Sequence, residues 1–200
     1  MKQININIAL FVSILALSGA CTSKGHEQPD AKNASAETKP ESTKAATVFE
    51  NVDPTVKAGI NNLLTNYFQM IHSLANDNES GAKESAKNLA NNLHGFDTSK
   101  LPQDQKAFYD QHESSISRSL DDIARSTTLN DIREAAASVS DELYQLTKTF
   151  HGNTADVYYN YCPMARDNAG AYWLSDVSEI QNPYMGQSMP GCGSTKEVLK

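Results

Sequence analysis

Between residues 54 and 151 the sequence repeats apolar side chains every three or four positions, and this pattern constrains the fold more than any other feature. Such spacing places the apolar side chains along one face of an α-helix. Asp77-Asn78 and His94-Gly95 mark two of the helix ends, and the last helix ends at Gly152. The apolar stripes cover residues 56–74, 82–93, 108–123 and 129–150. Because the connections are short, neighbouring helices should pack antiparallel, as in an up-and-down four-helix bundle.

The pattern changes after Gly152. Residues 156–161 and 170–174 are rich in aromatic and β-branched side chains, which favours short β-strands. The rest of the segment is rich in turn residues. We therefore predict a mainly α fold, an up-and-down four-helix bundle with a C-terminal turn-rich segment that contains short β-strands. Residues 51–200 should form this single domain.

The N-terminus is typical of an exported protein. Residues 1–20 contain Lys2 and then a short apolar run, and small residues precede Cys21. This arrangement predicts a lipoprotein signal peptide, with Cys21 lipidated; plain secretion with cleavage near Ala20 is the alternative. Residues 21–50 are mostly polar, so we expect a disordered tether. The protein should lie in the cell envelope, facing the periplasm, with the lipid anchor as its only membrane contact.

Charge and composition argue against two functional classes. The formal net charge is −7 and the chain has no basic cluster, which gives no support for nucleic-acid binding. The paired acids fall on polar helix faces, and the glycines near the C-terminus lack the lysine and helix of a phosphate-binding loop. We therefore do not expect an enzyme.

Five sulfur-containing side chains lie close together in the C-terminal segment, within residues 155–195. They are Cys162, Met164, Met185, Met189 and Cys192. Thiolates and thioethers are soft ligands that select Cu(I), and Ag(I) is a further candidate; zinc prefers thiolate, imidazole or carboxylate. If residues 162–164 are extended, the first thiol and the first thioether project to the same side.

The two cysteines leave two interpretations open. Once Cys21 is lipidated, Cys162 and Cys192 remain as an even pair in an oxidising compartment. They could form a disulfide, with the methionines as core filler, or share a metal ion. His151 immediately precedes the segment and is the best-placed imidazole for completing a metal site.

The C-terminal motifs resemble those of a known bacterial family. The similar residues are Tyr161-Cys162-Pro163-Met164, Gly170-Ala171-Tyr172-Trp173-Leu174-Ser175, Asn182-Pro183-Tyr184-Met185-Gly186, Met189 and Cys192-Gly193. This pattern resembles the domain of unknown function 3347. That family occurs as exported lipoproteins and fused to periplasmic adaptor subunits of copper/silver efflux pumps.

The resemblance implies heavy-metal handling, with copper as the first expectation and an efflux adaptor as a partner. The opening Tyr-x-Cys-Pro-Met also resembles short heavy-metal-binding domains of copper pumps, which continue with His-Pro where this chain has Ala165-Arg166. Our hypothesis is a periplasmic lipoprotein that binds Cu(I) or Ag(I) through its Cys/Met motif, in an accessory or chaperone role. The alternative is a disulfide-stapled interaction module that binds an adaptor or another envelope protein without metal.

Overall fold

Four long helices make up most of residues 48–200, the part of the chain that the computed structural model describes. The predicted signal peptide, Cys21 and most of the predicted tether lie outside the described residues. The helices are α1 (Pro54–Ala75), α2 (Glu79–His94), α3 (Gln103–Arg125) and α4 (Leu129–Phe150). A single 3₁₀ turn, Thr98–Lys100, lies between α2 and α3.

Local capping explains where these helices start and stop. The Asp53 side chain accepts a hydrogen bond from the Thr55 amide at 2.8 Å, and Pro54 occupies the first helical position of α1. Thr128 caps α4 in the same way. Helix α4 ends at Phe150, and the left-handed backbone of the next residue, His151 (φ 50°), turns the chain out of the helix.

The C-terminal segment forms a three-stranded antiparallel sheet. Strand β1 (Val157–Cys162) lies in the centre, between β2 (Ala171–Ser175) and β3 (Ser194–Leu199). Strands β1 and β2 were predicted, whereas β3 was not, because its first four residues are polar. The predicted fold class, four long helices with a small C-terminal β-structure, is confirmed.

The sheet packs on the bundle through buried aromatic residues. Trp173 and Leu174 of β2 are fully buried and belong to the same core as the helices. The Tyr144 ring of α4 stacks on Tyr159 of β1 with 3.8 Å between ring centroids. This packing fixes the end of β1, and therefore Cys162, relative to α4. Within residues 48–200, no helix is both long and apolar enough to cross a membrane.

Candidate metal centre

The two cysteines of the C-terminal segment are joined to each other. Cys162 ends β1 and forms a disulfide with Cys192, which lies just before β3; their Cα atoms are 5.9 Å apart. Cys162 is fully buried, whereas Cys192 remains partly accessible. Of the two interpretations that the sequence left open, the structure therefore adopts the disulfide. Only reduction would make two thiolates available to a metal.

Asn182 holds the loop that carries Cys192. Its side-chain amide donates a hydrogen bond to the Cys192 carbonyl at 2.6 Å. Its side-chain oxygen accepts hydrogen bonds from the Tyr184 and Met185 amides at 2.8 and 3.0 Å. Asn182 is fully buried, so the loop depends on it for partners that water would otherwise provide. The sequence indicated only a turn at Asn182-Pro183.

A second anchor fastens the same loop to the bundle. Arg133 of α4 donates hydrogen bonds to the Pro183 carbonyl at 2.7 Å and the Leu74 carbonyl at 3.0 Å, and it also pairs with Asp77. The hydrogen bond from Arg133 lowers the pKa of the Asp77 carboxyl. Gly186 packs directly against this pair, with φ +53° and no room for a side chain. Sequence reasoning did not identify Arg133, because a polar residue early in a helix gives no sign of its distant partners.

Three hydroxyl groups link the bundle, β2 and the loop inside the core. The Tyr67 hydroxyl lies 2.7 Å from Ser140 Oγ and accepts a hydrogen bond from the Leu174 amide at 3.1 Å. Ser140 Oγ lies 3.2 Å from the Tyr184 hydroxyl, which donates to the Tyr172 carbonyl. Burial raises the pKa of Tyr67 and of Tyr184, so both remain protonated and able to donate.

Two of the predicted methionine ligands line one open cleft. Met164, two residues beyond Cys162, and Met185, three residues beyond Asn182, both face a cleft of about 490 Å³ beside the N-terminal turns of α4. Met164 is 46% exposed, and Met185 is partly buried against the core. The other residues that line this cleft are Asn130, Asp131, Arg133, Glu134, Arg166, Asp167, Asn168 and Tyr184.

A left-handed turn forms one wall of this cleft. Arg166, Asp167 and Asn168 have φ values of 53°, 54° and 71°. Non-glycine residues seldom adopt this conformation, and three in succession store backbone strain. The Arg166 side chain crosses to α4 and binds Glu134, with 2.7 Å between Nε and Oε2. The cleft is thus closed at one point by an ion pair that joins its two walls.

The remaining predicted ligands do not line this cleft. Met189 is 37% exposed and follows the turn that ends at Ser188. His151 lies at the C-terminal end of α4, whereas Glu134 of the cleft lies near its N-terminal end. Seventeen residues at about 1.5 Å each separate them by about 25 Å. A metal held by Met164 and Met185 is therefore out of reach of His151.

Tyrosines form a continuous stack on the sheet near the disulfide. Tyr159 stacks on Tyr172 with 4.8 Å between ring centroids, and Tyr172 contacts Tyr161 at 4.4 Å. The chain continues directly from Tyr161 into Cys162. The contact between Tyr159 and Tyr144 of α4 extends the stack to the bundle, so these rings help to pack the segment on the helices.

The described residues contain no cluster of the side chains that most often bind metals in proteins. Within residues 48–200, no three or more His, Cys, Asp or Glu side chains are grouped so that they could hold a metal ion. The sulfur groups remain as candidate ligands: two thioethers in one cleft and two thiols that reduction would release. Such a set suits soft monovalent ions.

Comparison with known proteins bears on the bundle more than on the sulfur groups. The family model described as protein of unknown function (DUF3347) matches residues 63–155. The resemblance to domain of unknown function 3347 is thereby confirmed over residues 63–155. The match runs from α1 to the residues just before β1, so the cysteines and the cleft methionines lie outside it. No curated protein matches the chain. No solved structure matches it either.

Proposed function

We propose that this protein binds Cu(I), and Ag(I) by the same chemistry, at the sulfur groups of its C-terminal segment. One observation carries the proposal: the fold brings together two cysteines that are 30 residues apart in sequence, with Cα atoms 5.9 Å apart. Reduction therefore leaves two thiols side by side, and Cu(I) accepts such low-coordinate thiolate sets. Met164 lies two residues from Cys162 and adds a thioether close by.

The proposed cellular role follows from the predicted N-terminus and the family resemblance. Lipidation at Cys21 would hold the protein at a membrane of the cell envelope, facing the periplasm, with residues 21–50 as a tether. There it would buffer copper or silver, or pass it to a periplasmic efflux adaptor. Thioethers are neutral ligands, so a site that contains them should release its ion more readily than one built only of thiolates.

An anaerobic Cu(I) titration against a competing chelator tests the proposal. The full chain carries Cys21→Ser throughout, so that the third thiol does not contribute. We expect the reduced protein to bind Cu(I), and Cys162→Ser/Cys192→Ser to weaken binding by about a hundredfold or more. Equal affinity in the two proteins would exclude the cysteines as ligands. Met70→Leu, a change of a buried methionine in α1, is the matched control and should leave the affinity unchanged.

The disulfide itself favours a second candidate function. Joined cysteines cannot bind Cu(I) as thiolates, and the stacked tyrosines and the buried loop make the segment a rigid lid on the bundle. In this case the protein is an interaction module for an efflux adaptor or another envelope protein. Mass spectrometry of protein isolated from the envelope distinguishes the two. A mass two hydrogens below that of the reduced form, with no metal retained, supports the interaction module.

A further inference from the structure

Met164, in the cleft between the left-handed turn and α4, is unusually exposed for a large apolar side chain. Large apolar side chains normally lie in the core, and an exposed one is informative when it shares a site with others. Among the described residues only four large hydrophobic side chains are exposed: Val48, Met164, Tyr172 and Met189. Met164 shares its cleft with Met185 and with polar side chains, so its thioether faces water and charged groups rather than the core.

The charges around these thioethers favour a cation. Two arginines, Arg133 and Arg166, line the cleft, but both are already paired. Arg166 binds Glu134 across the cleft, and Arg133 binds Asp77 and two backbone carbonyls. The carboxylates Asp131 and Asp167 also line the cleft, so negative charge is in excess there. An anionic ligand would meet repulsion, and a monovalent cation would not.

The disulfide and Asn182 hold the backbone that carries Met164 and Met185 independently of any metal. Met164 follows Pro163 and the fully buried Cys162, so the disulfide limits how far this end of the cleft can move. The Met185 amide is bound by the Asn182 side chain, which also binds the carbonyl of Cys192. The backbone segments that carry both ligands are thus held in place when the cysteines are joined. A preorganised pair loses less conformational entropy on binding than a mobile pair.

We infer that the oxidised protein binds a soft monovalent cation, Cu(I) or Ag(I), in this cleft through the Met164 and Met185 sulfurs. The disulfide then acts as a brace for the cleft and contributes no ligand. This inference rests on the proposed soft-metal function and assigns it a second site. The first site needs reduced cysteines, and the second works while the disulfide is intact.

Silver nitrate in chloride-free buffer is the probe, because Ag(I) needs no reductant and leaves the disulfide intact. The full chain again carries Cys21→Ser. Isothermal titration calorimetry measures affinity, and ε-methyl NMR signals of the methionines report which thioethers bind. We expect the Met164 and Met185 signals to shift on Ag(I) addition, and the signal of buried Met70 to stay in place.

Met164→Leu/Met185→Leu is the decisive variant, since leucine preserves volume and removes sulfur. It should weaken Ag(I) binding at least about tenfold. Met70→Leu, a change of a buried methionine in α1 outside the cleft, is the matched control and should bind as the parent does. Unchanged binding by the double variant, or shifts at other methionines only, overturns the inference. If the reduced protein binds and the oxidised one does not, the inference fails and the proposed function stands. If neither form binds Ag(I) or Cu(I), both fail.

Discussion

Reducing the Cys162–Cys192 disulfide should cost the folded protein about 3.6 kcal/mol. The cysteines are 30 residues apart, and the loop-entropy relation for that length gives about 12 cal/mol/K, or about 3.6 kcal/mol at 25 °C. The effect arises in the unfolded chain, whose conformational entropy increases when the cross-link is removed. The change is a large fraction of the stability of a typical domain.

Urea unfolding of the oxidised and reduced protein, both with Cys21→Ser, measures this difference. Trp173 is the only tryptophan, and it lies buried in β2, so its fluorescence reports on the sheet. Circular dichroism at the helical band reports on the bundle. On reduction we expect the urea concentration at the unfolding midpoint to fall. The free energy of unfolding should also depend more steeply on urea concentration, because the reduced unfolded chain exposes more surface. A loss below about 1 kcal/mol would refute the loop-entropy argument.

The two signals also test how the sheet is coupled to the bundle. Tyr67, Ser140 and Tyr184 join α1, α4, β2 and the loop in one buried hydrogen-bonded group. We therefore expect fluorescence and circular dichroism to change together in both redox forms. If the fluorescence transition of the reduced protein occurs at lower urea than the circular dichroism transition, the sheet unfolds before the bundle. The three buried hydroxyls then do not provide the coupling that we assign to them.

Three further predictions concern contacts that hold the segment on the bundle. Gly186→Ala should destabilise the protein by more than about 1 kcal/mol, because φ is +53° and a Cβ would lie 1.9 Å from Asp77 Oδ1. Gly191→Ala is the control in the same urea assay. It should have little effect, because a Cβ there would have no atom within 4 Å. Tyr67→Phe should cost about 1–3 kcal/mol by leaving buried partners unsatisfied. Tyr172→Phe, at a residue that is 36% exposed, should cost less than about 0.5 kcal/mol. Because its pKa is lowered in the folded protein, ionised Asp77 stabilises the fold above its ordinary pKa of about 4, and this contribution is lost as the pH falls through the lowered value. Asp77→Asn should make the free energy of unfolding depend less on pH in the acid range. An unchanged pH dependence would contradict a stabilising role for ionised Asp77.

The helices could be predicted from the sequence because their evidence is local. Apolar spacing, the Asp53-Pro54 start and the stop near Gly152 each lie within a few residues of the feature that they determine. Strand β3 gave no such signal. It is an edge strand whose polar residues Ser194–Glu197 pair with β1, so long-range hydrogen bonds rather than its own composition make it a strand.

The candidate site could be predicted only in part. The sequence identified the five sulfur side chains but left open whether the cysteines are joined, because loop length alone does not decide between a disulfide and a shared metal. Arg133 and Asn182, which fix the loop, were missed as anchors. Each acts on backbone carbonyls and amides, and any sequence supplies those groups, so no residue pattern reveals the contact.

The unequal burial of the two cysteines decides which proposed site operates under oxidising conditions. Cys192 is the more accessible residue of the pair, so a reducing thiolate should approach the disulfide from its side and expel the other sulfur. The expelled thiolate would be Cys162, which is fully buried and therefore poorly solvated as a charged group. Reduction should be slow, so the disulfide persists. The thioether cleft of Met164 and Met185 is then the site available without a dedicated reductant, and a metal that meets the oxidised protein should bind there first.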